Sequence, residues 1–122
     1  MIRVARAGGL EFRRLPGRDS ADPFPALEEA TVRVVRVPPG PRAPHVHPDS
    51  AELIQVVEGS GRHWQGGDSV EVAAGDLVWV PRDVPHATVA REPLLLVCFF
   101  PHPDPFATTV ELDGEPEHRL SG

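Results

Sequence analysis

Two histidines separated by one residue, His45 and His47, are followed by the short Pro48-Asp49-Ser50 turn and then Glu52, which opens the apolar run Leu53-Ile54-Gln55-Val56-Val57. In an extended segment, side chains at i and i+2 point to one face of a sheet, about 6.6 Å apart along the strand. Imidazole nitrogens and a carboxylate oxygen from neighbouring strands suit a borderline divalent cation with open coordination positions. The chemistry suggested is that of a metal centre. The rest of the chain must supply strands that bring these groups together.

Composition narrows the alternatives. At 122 residues, with 40% hydrophobic and 25% charged residues, the chain is expected to be one globular domain over 1–122 with a single core. A formal charge of −6 and the lack of a basic cluster argue against a nucleic-acid partner. No stretch approaches the roughly 18 apolar residues of a membrane span. The first residues, Met1-Ile2-Arg3-Val4-Ala5-Arg6, lack the apolar core of a signal peptide, so a cytoplasmic address is expected. The single cysteine, Cys98, fits a reducing compartment, and within Leu94–Phe100 it reads as a small core hydrophobe. All 12 basic residues are Arg; with no Lys and no Tyr, Schiff-base chemistry by lysine and acid–base work by a phenol are excluded.

Fifteen prolines and 11 glycines cut the chain into short pieces. Residues 2–7 and 10–15 read as a strand pair around Gly8-Gly9. Residues 16–26, with Pro16-Gly17 and Asp22-Pro23-Phe24-Pro25, read as a surface loop, and Leu27–Ala30 as at most one helical turn. Strands are expected at 31–37, 52–58, 62–65, 70–72, 77–80, 86–90, 94–100 and 108–112, followed by a polar tail at 113–122. Short strands bounded by Gly or Pro indicate an all-β sandwich or barrel.

The His-x-His segment lies inside a longer two-part pattern. Gly40, four residues, His45-x-His47, four residues, Glu52, six residues and Gly59 form the first part, 40–59. After fifteen residues, Gly75, five residues, Pro81-x-Asp83, two residues and His86 form the second, within 75–90. In this order the two parts resemble the signature of the cupin superfamily. The resemblance implies a jelly-roll barrel, or double-stranded β-helix, in which His45, His47, Glu52 and His86 hold one divalent transition metal. The gap before His45 is one residue shorter than usual, Asp83 stands where the family has Gly, and Ala90 where it often has Asn. None of these removes a ligand.

The residue types agree by a separate route. Three imidazoles and one carboxylate leave positions of a five- or six-coordinate ion open, whereas a structural zinc site more often uses Cys and closes its tetrahedron. Iron, manganese, nickel and zinc are not distinguished. If Glu52 faces inward, alternation makes Ile54 and Val56 an apolar wall; Arg62, Trp64 and Trp79 are further candidates for a substrate pocket, as are His63, Phe99 and Phe100. His102 and His118 lie in polar, proline-rich surroundings and are read as uninvolved. Gly59 and Gly75 are read as turn residues.

The expected function is a metal-dependent enzyme acting on a small organic substrate, with dioxygenase, isomerase and lyase or dehydratase chemistry all open, and Glu52 as ligand and catalytic proton acceptor. The competing expectation is a non-catalytic module that binds or senses a small molecule. Pairing of small cupins through their sheets suggests a homodimer.

Overall fold

The computed structural model describes residues 1–112, so the polar tail at 113–122 and His118 lie outside the described residues. Eleven strands carry the fold: β1 (Phe12–Leu15), β2 (Arg18–Ala21), β3 (Thr31–Val37), β4 (His45–Val46), β5 (Glu52–Glu58), β6 (Ser60–Gln65), β7 (Asp68–Ala73), β8 (Leu77–Val80), β9 (His86–Ala90), β10 (Leu94–Phe100) and β11 (Val110–Glu111). They form one six-stranded sheet, ordered β1-β2-β3-β10-β5-β8, and one five-stranded sheet, ordered β11-β4-β9-β6-β7. Every strand pairing within the sheets is antiparallel. This is the jelly-roll architecture expected from the two-part motif. Among the described residues no helix is long and apolar enough to cross a membrane.

Alternation along the strands builds the core. β10, the most apolar strand, sits in the middle of the larger sheet and turns Leu94, Leu96, Cys98 and Phe100 inward. They meet Val35 and Val37 of β3, Ile54 and Val56 of β5, and Val72 and Ala90 from the facing sheet. Each such aliphatic side chain contributes on the order of 1.5–3 kcal/mol by leaving water. Glu52 opens β5 in the same inward register as Ile54 and Val56, so a charged group enters the interior at one end of an apolar face.

Two expectations for the N-terminal region differ from what is found. There is no strand pair around Gly8-Gly9; Ala7–Gly9 form a single 3-10 turn. The hairpin lies one step later, joining β1 and β2, with Phe12 opposite Ala21 and Leu15 opposite Arg18. Its turn is Pro16-Gly17, with Gly17 at φ +75°, which suits a tight turn with proline first and a left-handed residue second. The stretch expected as a loop from residue 16 is therefore partly strand, because Pro16-Gly17 forms a tight turn that reverses the chain directly into β2. The late strand is also shorter than expected, only Val110–Glu111.

The motif glycines differ in how tightly they are held. Gly59 has φ +91°, and an added Cβ would stand 2.1 Å from the carbonyl oxygen of Pro93. Gly75 has φ +97° but nothing within 4 Å of such a Cβ. The left-handed conformation alone costs an L-residue roughly 1–2 kcal/mol. Gly75→Ala should therefore lose about that much in urea unfolding, and Gly59→Ala at least twice as much. Equal losses would show that the Pro93 contact gives way.

Candidate metal centre

His45 and His86 are cross-strand partners of β4 and β9, which sets their rings 4.4 Å apart, centroid to centroid. His47 lies just beyond β4, with its ring 4.9 Å from that of His45 and 5.3 Å from that of His86. Glu52 reaches in from the other sheet. The motif spacing is thus resolved into three sources: the paired inner strands β4 and β9 of the smaller sheet, the loop after β4, and the start of β5. One ligand atom from each of these four side chains lies within 4.8 Å of the others, a group that could hold a metal ion.

The second motif is tied to the first through the backbone. Asp83 adopts φ +66°, the left-handed conformation for which the family uses glycine, and Asp tolerates it better than most residues. Its amide donates to the carbonyl of His47 at 3.0 Å. The substitution therefore keeps the turn that brings His86 to the site.

Hydrogen bonds behind the rings fix which nitrogen faces the centre. Nδ1 of His86 lies 2.8 Å from the carbonyl of Val84, which can only accept, so Nδ1 carries the proton. Nδ1 of His47 lies 2.7 Å from Oγ1 of Thr109. That hydroxyl gives its single proton to the carbonyl of Pro105 at 2.9 Å, so it accepts from His47. In both rings Nε2 then faces the cluster, and it offers a lone pair there whenever the ring carries a single proton. Nε2 of His86 is 3.0 Å from Oε1 of Glu52, and Nε2 of His47 is 3.4 Å from the same oxygen. The His47 contact is not a hydrogen bond: its Nε2 is buried and without a partner among the described residues.

Electrostatics sharpen the point. Burial pushes the Glu52 carboxyl up, but the imidazoles of His47 and His86 that face it, with positive charge on the histidine cluster, outweigh burial and hold the group well below the usual carboxylate range. A carboxylate in this interior is stable only when positive charge faces it, whether a proton on an imidazole or a metal ion. Burial, then the charge of His86, drives His45 well below its ordinary value. A neutral imidazole is the form that binds metal. The donor set and the orphaned nitrogen fit a single divalent transition metal ion.

The surroundings are a cavity of about 430 Å³ that opens beside His45, His47 and Glu52. Phe100 and Phe106 form an edge-to-face pair at 5.1 Å on its apolar side, and Phe100 also packs edge-on to His47 at 5.0 Å. Cys98 is buried next to Glu52; burial first, and then the carboxylate, raise its thiol well above the ordinary value, so it stays protonated.

The expected pocket wall lies elsewhere. Ile54 and Val56 do point inward, but they belong to the apolar core and do not line this cavity. Arg62 and Trp64 fall on the outward parity of β6, whose buried residues are Gly61 and His63. Arg62 there bonds Ser69 and pairs with Glu71 at 2.9 Å. Trp79 is 55% exposed on the outside of β8, and Phe99 faces outward from β10. His63 is buried against Thr88, and burial pushes it down to about 4, but it is not one of the four clustered side chains. Thr109, Phe106 and Arg42 line the cavity without having been singled out. Only the position of Arg42, three residues before His45, could have flagged it.

A family model described as "Cupin domain" matches residues 33–100. No curated protein matches the chain. Among solved structures, a variant of Streptomyces PAC13 with uridine superposes with a TM-score of 0.79 at 19% identity, covering 97% of each chain. A structure described as that of Pac13, "a unique nucleoside dehydratase", gives 0.78 at 19% identity over 98% of each chain. The oxalate decarboxylase of Lactobacillus farciminis gives 0.69 at 22% identity, over 86% of this chain and 34% of that longer one. At these identities the likeness concerns the fold.

Thr109 gives a direct test of the ring-locking argument. Thr109→Val removes the acceptor for His47 Nδ1 and should weaken metal affinity about 10–100-fold, the usual effect of losing a partner behind a ligand. Competition with a chelating dye reads this out. Unchanged affinity would mean that the ring needs no such support.

Proposed function

We propose that this chain, which belongs to the cupin family, is a metal-dependent enzyme acting on a small organic substrate. The carrying observation is the buried cluster itself, in which His47 Nε2 has no hydrogen-bond partner among the described residues. His45, His47 and His86 would hold the ion through nitrogen and Glu52 through oxygen. When bound, the ion would supply Lewis-acid polarisation or activation of molecular oxygen.

The chain's own residues have distinct tasks. The Nδ1 partners of His47 and His86 keep their lone pairs aimed inward. Phe100 and Phe106 keep water from one side of the cavity and give a substrate an apolar surface. Glu52 stays ionised and is placed to accept a proton, although its depressed carboxyl makes it a better ligand than base. Dioxygenase, isomerase and lyase or dehydratase chemistries all suit such a centre, and the full-length likeness to a nucleoside dehydratase places dehydration first among the reactions to assay.

The same reading covers residues 1–122 as one cupin-like domain, without a nucleic-acid partner given the −6 charge, in the cytoplasm given the lone buried thiol. It also includes a homodimer. On the outer face of the larger sheet Leu53 stands opposite both Trp79 and Phe99, and Leu77, Trp79 and Phe99 are all exposed. A contiguous apolar face of this kind suits a second copy. Light scattering should give a dimer mass, and Trp79→Glu a monomer; a monomeric wild type would refute the pairing.

Elemental analysis of purified protein should find about one transition-metal ion per chain and a clear deficit in His47→Ala. With Fe²⁺ or Mn²⁺ supplied, oxygen consumption or turnover should appear across a substrate panel. Metal binding with silence across the panel, together with retention of an unmodified ligand, would favour a binding module instead.

A further inference from the structure

Four arginines, Arg13, Arg18, Arg33 and Arg42, line the cavity beside the metal cluster, against two glutamates, Glu52 and Glu111. In a chain with a net charge of −6 this is a local reversal of sign. Two of the arginines are partly engaged. Arg33 pairs with Asp22 at 3.2 Å and sits over the Phe106 ring, and Arg18 bonds the carbonyl of Pro16 and lies 3.8 Å from Glu111. Arg42 has no ion pair or side-chain hydrogen bond among the described residues, although it is half-buried. Its stem runs along the β1–β2 turn, where a Cβ on Gly17 would stand 3.7 Å from Arg42 Cγ.

From this arrangement we infer that the substrate is an organic anion, whose carboxylate or phosphate is gripped by Arg42 with Arg18 beside it. A half-buried guanidinium without an acceptor is costly, and its planar fork suits two oxygens of one oxyanion. Burial and the neighbouring Arg18 both lower the affinity of Arg42 for its proton, the condition an anion between the two would relieve. Three residue steps take the chain from Arg42 to His45, at most about 11 Å of backbone. A molecule of a few carbons can therefore place its anionic end on Arg42 and its other end at the cluster, with its body against Phe100 and Phe106. Arg42 is a binding residue here. It sets which molecules enter and how they are turned.

The inference uses the proposed metal centre only to say where the reacting end lies, so the two can fail separately. Titration calorimetry with succinate and glycerol 3-phosphate, and with neutral succinamide and uridine, on metal-free and Mn²⁺-loaded protein tests it. The acids should bind at least tenfold more tightly than the neutral probes in both forms. Preference for succinate or for glycerol 3-phosphate identifies the oxyanion. Arg42→Gln should abolish the preference while metal content stays at the wild-type level, and Arg42→Lys should keep part of it. Equal binding of acids and neutral probes, or an unchanged preference in Arg42→Gln, would overturn the inference. Should Arg42→Gln not fold, the wild-type preference and Arg42→Lys decide the matter. A protein that takes up no metal yet keeps the preference would refute the metal centre alone.

Discussion

The interior of this protein is organised around one ionised carboxylate held among three imidazoles. Taking a carboxylate out of water is expensive, of the order of several kcal/mol even after relaxation. Glu52 is only 4% exposed, and the imidazoles that face it come from the opposite sheet and its flanking loop. The two sheets therefore meet in two different ways. Over most of their contact they share aliphatic side chains, which pack without regard to direction. At one end they share a polar cluster, whose members must be aimed to within a fraction of an ångström. The apolar part supplies the stability that lets the polar part be kept.

Much of this was legible in the chain, and the legible part has a common physical basis. His45, His47, Glu52 and His86 are set by short-range spacing on strands and turns, and spacing survives in one dimension. The strands from β3 to β10 announce themselves by alternation and by the Gly and Pro that end them. What failed was parity. The sequence offers Arg62, Trp64 and Trp79 as pocket residues, but the pleat turns each outward, and nothing local to β6 or β8 says which of the two faces is the inner one. The residues that do line the cavity were missed for a different reason. Thr109 stands 62 positions from His47, Arg18 lies on a strand taken for a loop, and Phe106 follows three prolines. Long-range closure brings these together, and no periodicity encodes it.

The cavity also shows how a chain can be acidic as a whole and basic where it matters. Its carboxylates lie largely on outward-facing strand positions and turns, with Glu71 bridging Arg62 and Arg91 on the outer face of the smaller sheet. Exposed pairs of that kind contribute little to stability. Inside the mouth the arginines have low-dielectric walls, where each charge reaches further. The outer charges are largely screened by water and salt, and the inner ones shape what enters.

The partnership of His47 with Thr109 has a bearing on how the molecule matures. During synthesis the histidine leaves the ribosome 62 residues ahead of the hydroxyl that orients its ring. Until that later segment docks, the imidazole is free to flip, and an early encounter with a metal ion would find donors pointing in several directions. A fully oriented donor set therefore exists only once the segment that carries Thr109 has docked, so that an ion meets a formed cage only after the sheets have closed.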